Sequence, residues 1–217
     1  VYPYVAALSV IGIVYASLVA WAQTDLKKLV AYSSVAHLAF AVLGIFALNR
    51  EGLGGAVFVS VSHGLSTGML FLIVGMIYER RHTRAIADLS GLSAPMPSLG
   101  ALFGIATMAS VGLPTTSGFI AEILSIIATF KDHVFFAVVA LTGVILSAVY
   151  MLSMFKRVMF GEATGANAGV ADLDLREKFI LGTMSALIFI LGIYPWAILD
   201  KTRATFDAIL QLSGVAR

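Results

Sequence analysis

The sequence predicts an all-α membrane protein, a bundle of about six transmembrane helices. Of its 217 residues, 59% are hydrophobic and only 12% are charged, which is about half the charged fraction of a typical soluble domain. The apolar residues also fall into runs that are long enough to cross a bilayer, which takes roughly 20 residues as a helix. The predicted spans cover residues 1–22, 29–48, 54–78, 98–130, 134–155 and 179–199.

We therefore expect one transmembrane domain over residues 1–199 and an amphipathic tail at the membrane interface over 200–217. The stretch "GEATGANAG" at 161–169 is typical of a flexible linker. With six spans, lysine and arginine are more numerous on the side of the first loop, which predicts a cytoplasmic location for that side and an external C-terminus. A bacterial inner membrane is the expected location. Because the chain begins inside an apolar run, we expect it to be the C-terminal part of a longer protein.

Composition also excludes several classes of function. The net charge is only +2, and the basic residues form no continuous face, which argues against nucleic acid as a partner. Without cysteine, disulfides, thiolate metal sites and iron–sulfur clusters are excluded. A phosphate-binding glycine loop, a zinc-binding HExxH pair and a nucleophile elbow are all missing from the sequence. We expect no metal and no other cofactor in this chain.

The fourth predicted span is too long for one straight helix. Residues 98–130 would form a helix of about 50 Å, whereas the hydrocarbon core is about 30 Å thick. At its centre lies "VGLPTTSGF", in which Pro114 removes a backbone donor while Gly112 and Gly118 permit an unwound backbone. The sequence therefore predicts two half-helices joined by a loop at membrane depth, a feature that marks the ion path in transporters.

Three titratable side chains lie deep inside the predicted spans: His37, His63 and Glu122. A charge at the bilayer centre costs on the order of 3 kcal/mol, so such residues usually face water or protein and mark ion pathways. Hydroxyl side chains lie one helical turn away, Ser33 before His37 and Thr67 after His63. We interpret the three as a proton relay. No cationic partner for Glu122 is evident from the sequence.

Other uses of these residues stay open. Each histidine could simply join two helices through hydrogen bonds, in which case the chain would be a membrane scaffold. His37 and His63 could also ligate a haem as a pair, although their hydroxyl-rich surroundings favour water. Lys27, in "TDLKK" at 24–28, fits a solvated turn between two spans, or the cytoplasmic entrance of the relay.

Three motifs carry a family resemblance: "QTDLKKLVAYSSVAHLAF" at 23–40, "SHGLSTGMLFLIVGMIYERRHTR" at 62–84 and "GLPTTSGFIAEI" at 112–123. Together they resemble the M-type, or chain-4, antiporter-like subunit of proton-pumping NADH:quinone oxidoreductase, respiratory complex I. The resemblance implies an antiporter-like fold of fourteen helices, of which this chain would hold the last six. It also implies other membrane-arm subunits, including neighbouring antiporter-like subunits, as partners. NADH, FMN, iron–sulfur clusters and quinone would be bound by the partner subunits.

The same resemblance assigns roles to particular residues. His37 and His63 match the histidines of the family's central hydrophilic axis, Glu122 matches its broken-helix glutamate, and Lys27 matches its cytoplasmic lysine. Two positions depart from the family pattern, which usually has asparagine at Gly118 and glycine at Ala121. The family's key glutamate and two pumping lysines would lie upstream of this chain. A subunit of a related cation/proton antiporter or membrane-bound hydrogenase is the alternative function.

Overall fold

The structure, a computed structural model, describes residues 2–163 and 165–212, whose regular elements are all helices, with no β-strand. The predicted all-α fold is therefore confirmed. Short 3₁₀ turns at Ile86–Asp88 and Gly165–Asn167 lie in the two longest connections. The eight α-helices are α1 (Tyr2–Trp21), α2 (Leu26–Phe46), α3 (Arg50–Arg81), α4 (Pro97–Val111), α5 (Ser117–Phe130), α6 (Val134–Met159), α7 (Leu175–Ile193) and α8 (Trp196–Leu212).

Four of these helices, α1, α2, α3 and α6, are each long and apolar enough to cross a membrane. Helices α7 and α8 meet that criterion only as a pair, which is bent by 61°. The predicted span over 179–199 is thus interrupted before its end, because Pro195 cannot donate a backbone hydrogen bond and disfavours a helical residue before it. The shorter helices α4 and α5 are also apolar. The number of membrane crossings stays a prediction, and residues 213–217 of the predicted tail lie outside the described residues.

The loops alternate between the two ends of the bundle. At the end that carries Lys27, the first loop pairs with the loop after α3, since the Leu26 amide donates to the Arg84 carbonyl. At the opposite end, the Asn49 side chain donates to the Ala128 carbonyl. There Arg50 also forms an ion pair with Asp207, which fixes α8 against the start of α3. We call these the Lys27 end and the Asn49 end.

Buried apolar side chains form two separate clusters, one toward each end. The cluster near the Lys27 end includes Leu29, Val30, Ile73, Phe103 and Met154, which are at most 3% exposed. The cluster near the Asn49 end includes Phe40, Leu43, Phe58, Val59 and Ile126. Each of the long helices therefore changes from one apolar cluster to the other near its middle, and polar residues occupy the gap.

The predicted break in the fourth span is confirmed. Helix α4 ends where Gly112 adopts a left-handed conformation (φ 79°), and α5 begins five residues later at Ser117. Both halves are about 20 Å long, so the break lies midway between the two ends. Thr115 is also left-handed (φ 84°), which is costly for a β-branched residue, and its carbonyl lies directly against Gly192 of α7.

Gly118 allows the two half-helices to approach closely. A Cβ added at this position would overlap the Ala109 carbonyl oxygen at the end of α4. Since a backbone atom cannot move aside as a side chain can, only glycine fits here without a shift of α5. The usual asparagine of the resembling family would not fit this arrangement.

The connection between α6 and α7 is anchored to the bundle, so the prediction of a flexible linker at 161–169 is wrong for the residues that the structure describes; Thr164 lies outside them. Asn167 is buried, donates to the carbonyls of Asp88 and Ser90, and accepts from Arg81. Further along, the two Asp172 carboxylate oxygens accept the amides of Ser98 and Leu99 at 3.0 and 3.2 Å. This connection thereby supplies the N-terminal cap that α4 lacks in its own sequence.

Arg80 completes the attachment of this connection. Its guanidinium donates to both carboxylate oxygens of Glu177, at 2.9 and 2.6 Å, and to the Ala171 carbonyl. Such two-point arginine–carboxylate contacts are geometrically specific. They tie the end of α3 to the start of α7.

We predict that Asp172→Ala lowers the free energy of unfolding by about 1 kcal/mol, the usual value of a helix cap. Burial raises the pKa of Asp172, but hydrogen bonds from Ser98 and the nearby backbone lower this pKa by a larger amount. The net pKa therefore lies below the ordinary value of 3.8. The stabilising carboxylate is therefore present above that pH and lost as the pH falls through the lowered pKa. Thermal unfolding of the full-length protein in detergent should show a difference at neutral pH that shrinks in acid. Asp200→Ala, at an exposed i,i+3 ion pair, is the control and should have little effect.

We also predict that Gly118→Ala destabilises the protein by about 1–3 kcal/mol, because the new methyl group must push α5 away from α4. Gly182→Ala is the matched control, since a Cβ at that helical position meets no atom within 4 Å and alanine favours the helix. Equal thermal stability of the two variants would contradict the close approach at the break.

Candidate functional site

Polar side chains fill the gap between the two apolar clusters and form a layer around the helix break. Helices α2, α3 and α6 bring them from their inner turns, and α4 and α5 bring them from the ends that meet at the break. We call this set the polar layer. Its members are His37 on α2; Ser62, His63, Ser66 and Thr67 on α3; Ser110 on α4; Ser117 and Glu122 on α5; and Tyr150 on α6.

The shortest ionisable contact in the layer joins His37 to Glu122. The Nδ1 atom of His37 lies 2.7 Å from Glu122 Oε1, and the two side chains are 7% and 8% exposed. Helix α2, which is capped by the Asp25 side chain accepting the Lys28 amide, places His37 in its fourth turn. His37 is thus the partner for Glu122 that the sequence alone did not reveal.

The other ring nitrogen of His37 faces two hydroxyl groups. Its Nε2 atom lies 3.3 Å from Ser110 Oγ and 3.5 Å from the Tyr150 hydroxyl. Ser110 is in the last turn of α4, immediately before the break, and Tyr150 is almost completely buried. The imidazole therefore bridges the hydroxyl groups of two helices to the carboxylate of a third.

His63 lies beside this bridge, on α3. Its ring centroid is 5.9 Å from that of His37, and its Nδ1 atom is 3.0 Å from the Thr67 hydroxyl. The predicted pairing of Thr67 with His63 along one helical face is confirmed. His63 is only half-buried, so it connects the interior of the layer with the outer face of α3.

A small cavity of about 20 Å³ lies between these groups, lined by both histidines, Glu122 and the hydroxyls of Ser62, Ser66 and Ser110. Nearby, Ser62 Oγ is 2.8 Å from Ser117 Oγ, at the first residue after the break. A volume of this size holds about one water molecule, and the polar lining offers it several hydrogen-bond partners.

Lys27 does not reach the polar layer. It is exposed in the first turn of α2, ten residues before His37, which corresponds to about 15 Å along the helix. Leu29 and Val30, both members of the apolar cluster at the Lys27 end, lie between the two levels. The structure thus brings together His37, His63 and Glu122, with the break residues Gly112 and Gly118 beside them, but leaves Lys27 apart.

Three polar groups of the layer were not singled out from the sequence: Ser110, Ser117 and Tyr150. Ser110 and Ser117 flank the "VGLPTTSGF" break, and hydroxyls that flank a break could have been included with it. Tyr150 gave a weaker signal, a lone phenol in the middle of an apolar helix, one turn after Ser147. Its relevance depends on how α6 packs, which no local pattern shows.

The geometry does not suit a haem between the two histidines. The cavity between them has room for one water molecule and not for a porphyrin. Among the described residues, His, Asp and Glu side chains form no group of three that could hold a metal ion.

The arrangement is suited to moving a proton between buried groups. An imidazole can accept a proton at one ring nitrogen and release one from the other. Here the Nε2 atom of His37 faces hydroxyls and the Nδ1 atom faces a carboxylate. Proton transfer needs a donor–acceptor distance of about 2.6–3.2 Å, or one intervening water. The His37–Glu122 contact meets the first condition and the cavity offers the second.

Comparison with known proteins places these features in a family. Residues 1–147 match the family described as NADH:quinone oxidoreductase/Mrp antiporter, transmembrane. The chain is 48% identical over 209 residues to NADH-quinone oxidoreductase subunit M of Rhodobacter capsulatus, which covers 96% of this chain and 41% of that relative. The chain thus spans about two fifths of the length of the curated relatives it matches.

Solved structures agree with this match. A chain of respiratory complex I from Thermus thermophilus with bound NADH superimposes with a TM-score of 0.90 at 33% identity, covering 97% of this chain and 44% of that one. A chain of the Mrp complex from Dietzia sp. DQ12-45-1b shares the fold, with a TM-score of 0.87 at 20% identity, covering 100% of this chain and 49% of that one. The chain therefore belongs to the NADH:quinone oxidoreductase/Mrp antiporter membrane family, in its M-type, antiporter-like branch.

Proposed function

We propose that this chain is part of a proton-translocating subunit of NADH:quinone oxidoreductase, and that the polar layer is its proton relay. The observation that carries the proposal is the 2.7 Å contact between His37 and Glu122, buried beside a break in a membrane-depth helix. Ionisable groups inside a membrane are costly and usually lie on ion or proton pathways. The similarity to subunit M of the named oxidoreductase supports the assignment to that complex.

The order of the relay follows from the positions of its groups. A proton that enters from the Lys27 end reaches Ser110 and His37 first, because these lie before the break. It then passes from His37 Nδ1 to Glu122, which lies after the break on α5. His63, half-buried beside His37, exchanges protons with the part of the membrane arm that faces α3. Glu122 releases the proton toward the Asn49 end.

The driving force must come from outside this chain. Moving one charge against 100 mV costs about 2.3 kcal/mol, and the chain has no cysteine with which to hold an iron–sulfur cluster. NADH, FMN, the iron–sulfur clusters and quinone would be bound in partner subunits of the complex. The other membrane-arm subunits and the lipid of a bacterial inner membrane would surround this chain. The Lys27 end would face the cytoplasm and the Asn49 end the outside.

The second candidate is a subunit of a related cation/proton antiporter or membrane-bound hydrogenase. The fold shared with the Mrp complex favours it, because the same buried residues could serve another energy source. Purification of the full-length chain with its natural partners separates the two candidates. Co-purifying NADH dehydrogenase activity supports the oxidoreductase, and its absence from an otherwise intact complex supports the antiporter.

We predict that Glu122→Gln leaves the complex assembled but lowers proton translocation by about a hundredfold or more, the lower end of the range for loss of an acid–base group. Glutamine keeps the size and the hydrogen-bond acceptor of Glu122 but cannot release a proton. His37→Gln should have a similar effect, since it removes the group that bridges Ser110 to Glu122. NADH-driven proton uptake by proteoliposomes, measured beside the rate of quinone reduction, tests both variants.

The control for this experiment is Glu162→Gln, at an exposed position in the connection after α6, which should pump as the wild type does. If the polar layer were only a scaffold, Glu122→Gln and His37→Gln would reduce the yield of assembled complex without changing its pumping rate. Normal assembly together with normal pumping in both variants would contradict the relay.

For Lys27 we propose a role at the surface end of the path, because it lies outside the polar layer. Lys27→Ala should therefore reduce proton translocation less than Glu122→Gln does. Lys28→Ala, at the neighbouring exposed position, is the matched control and should leave pumping unchanged. A loss as large as that of Glu122→Gln would show that Lys27 reaches the relay directly in a different conformation.

A further inference from the structure

We propose that Thr107 is an additional part of the relay, a positioning residue whose hydroxyl holds a water molecule that delivers protons through Ser110 to His37. This inference rests on the proposed function and extends it by one helical turn toward the Lys27 end. Neither the sequence motifs nor the family resemblance pointed to Thr107. The evidence is its burial, its missing hydrogen bond and its position on α4.

Thr107 is 0% exposed, and its hydroxyl has no hydrogen-bond partner among the described residues. Many buried hydroxyls of the bundle donate to carbonyls of their own helix, as Ser33 does to Val30 and Thr129 does to Ser125. The hydroxyls of Tyr2 and Ser9 also lack a partner, but both are on α1, away from the helix break. A buried hydroxyl without a partner is destabilising, and buried polar groups are normally satisfied by protein or ordered water. The Thr107 hydroxyl therefore needs a partner that the described residues do not supply, and water is the simplest one of suitable size.

The position of Thr107 connects it to the histidine. It lies three residues before Ser110 on α4, so the two side chains share one face of the helix. Ser110 Oγ is in turn 3.3 Å from His37 Nε2. Because α4 begins at the Lys27 end, Thr107 lies on the entry side of the relay, before the residues that contact His37.

Beyond Thr107, the buried face of α4 is apolar. Leu99 and Phe103 are both 0% exposed and belong to the apolar cluster at the Lys27 end. Thr107 is thus the first polar side chain that a proton meets on this face of α4 once water has entered the cluster. A hydroxyl at this point would bring the incoming water within reach of Ser110.

The proposed transfer step conserves protons and makes no covalent change to the protein. His37 Nε2 takes the hydroxyl proton of Ser110, and Ser110 takes a proton from the water at Thr107. That water regains its proton from another water molecule, which reaches it from the Lys27 end once water has entered the apolar cluster there. Thr107 itself only accepts and donates hydrogen bonds, which keep the water aligned with Ser110.

The experiment compares Thr107→Val with Thr107→Ser in the full-length chain, assembled in its complex and reconstituted in proteoliposomes. Valine has the shape of threonine but no hydroxyl, and serine retains the hydroxyl. NADH-driven proton translocation should fall by about fivefold in Thr107→Val, the rate equivalent of one neutral hydrogen bond. Thr107→Ser should restore most of that rate. Thr142→Val is the matched control, because the Thr142 hydroxyl is exposed and donates to the carbonyl of Val139.

A wild-type rate in Thr107→Val, or an equal loss in the valine and serine variants, would overturn the inference. If Thr107→Val fails to assemble, Thr107→Ala replaces it, and the same comparison with Thr107→Ser decides. Glu122→Gln is measured in parallel to separate this inference from the proposed function. Slow pumping in Glu122→Gln with normal pumping in Thr107→Val removes only the role of Thr107, whereas normal pumping in Glu122→Gln removes the relay itself.

Discussion

The contact between His37 and Glu122 is the interaction on which the rest of the interior depends. Two ionisable groups that are 85 residues apart in the chain meet at 2.7 Å. They lie in the polar layer, between two clusters of buried apolar side chains. Each group would be costly to bury alone. Together they satisfy one another, and the hydroxyls of Ser110 and Tyr150 complete the coordination of the imidazole. The site can therefore lie between two apolar clusters, because its ionisable groups are hydrogen-bonded to one another.

The broken helix is what makes this contact possible. In a continuous helix over 98–130, the start of α5 could not approach Ala109 at the end of α4 as it does here. The left-handed turn at Gly112 ends α4, the absent side chain of Gly118 lets α5 pass against Ala109, and Glu122 then lies one turn further on. The carbonyl of the strained Thr115 packs directly against Gly192 of α7. Strain at a membrane-depth break is typical of functional sites, where the surrounding fold holds it in place.

Much of this could be predicted from the sequence, and the limits have clear physical causes. The helical class follows from the long apolar runs and the break at 112–118 from proline and glycine within one of them. The choice of His37, His63 and Glu122 as candidate site residues follows because such residues are rare inside a membrane. The pairing of His37 with Glu122 does not follow, because it depends on how α2 packs against α5. The anchoring of Asn167 was missed since glycine-rich composition describes local freedom and not tertiary contacts. The bend before Trp196 was missed because apolar residues continue on both sides of Pro195.

The burial of His37 against Glu122 supports the proposed relay. Replacing buried ionised pairs with well-packed hydrophobic residues is often neutral or stabilising, so stability alone does not explain an ionisable pair at this position. Transport, in contrast, requires a group whose proton can be exchanged. In the present conformation Leu29, Val30 and Phe103 separate the layer from the Lys27 end, and Leu43, Phe58 and Ile126 belong to the cluster toward the Asn49 end. A proton held in the layer therefore has no continuous polar path to either surface. In the proposed relay, a positive charge that approaches His63 from the rest of the subunit would compete with His37 for Glu122. Once that pair is separated, the proton would leave only through the apolar cluster that water has entered.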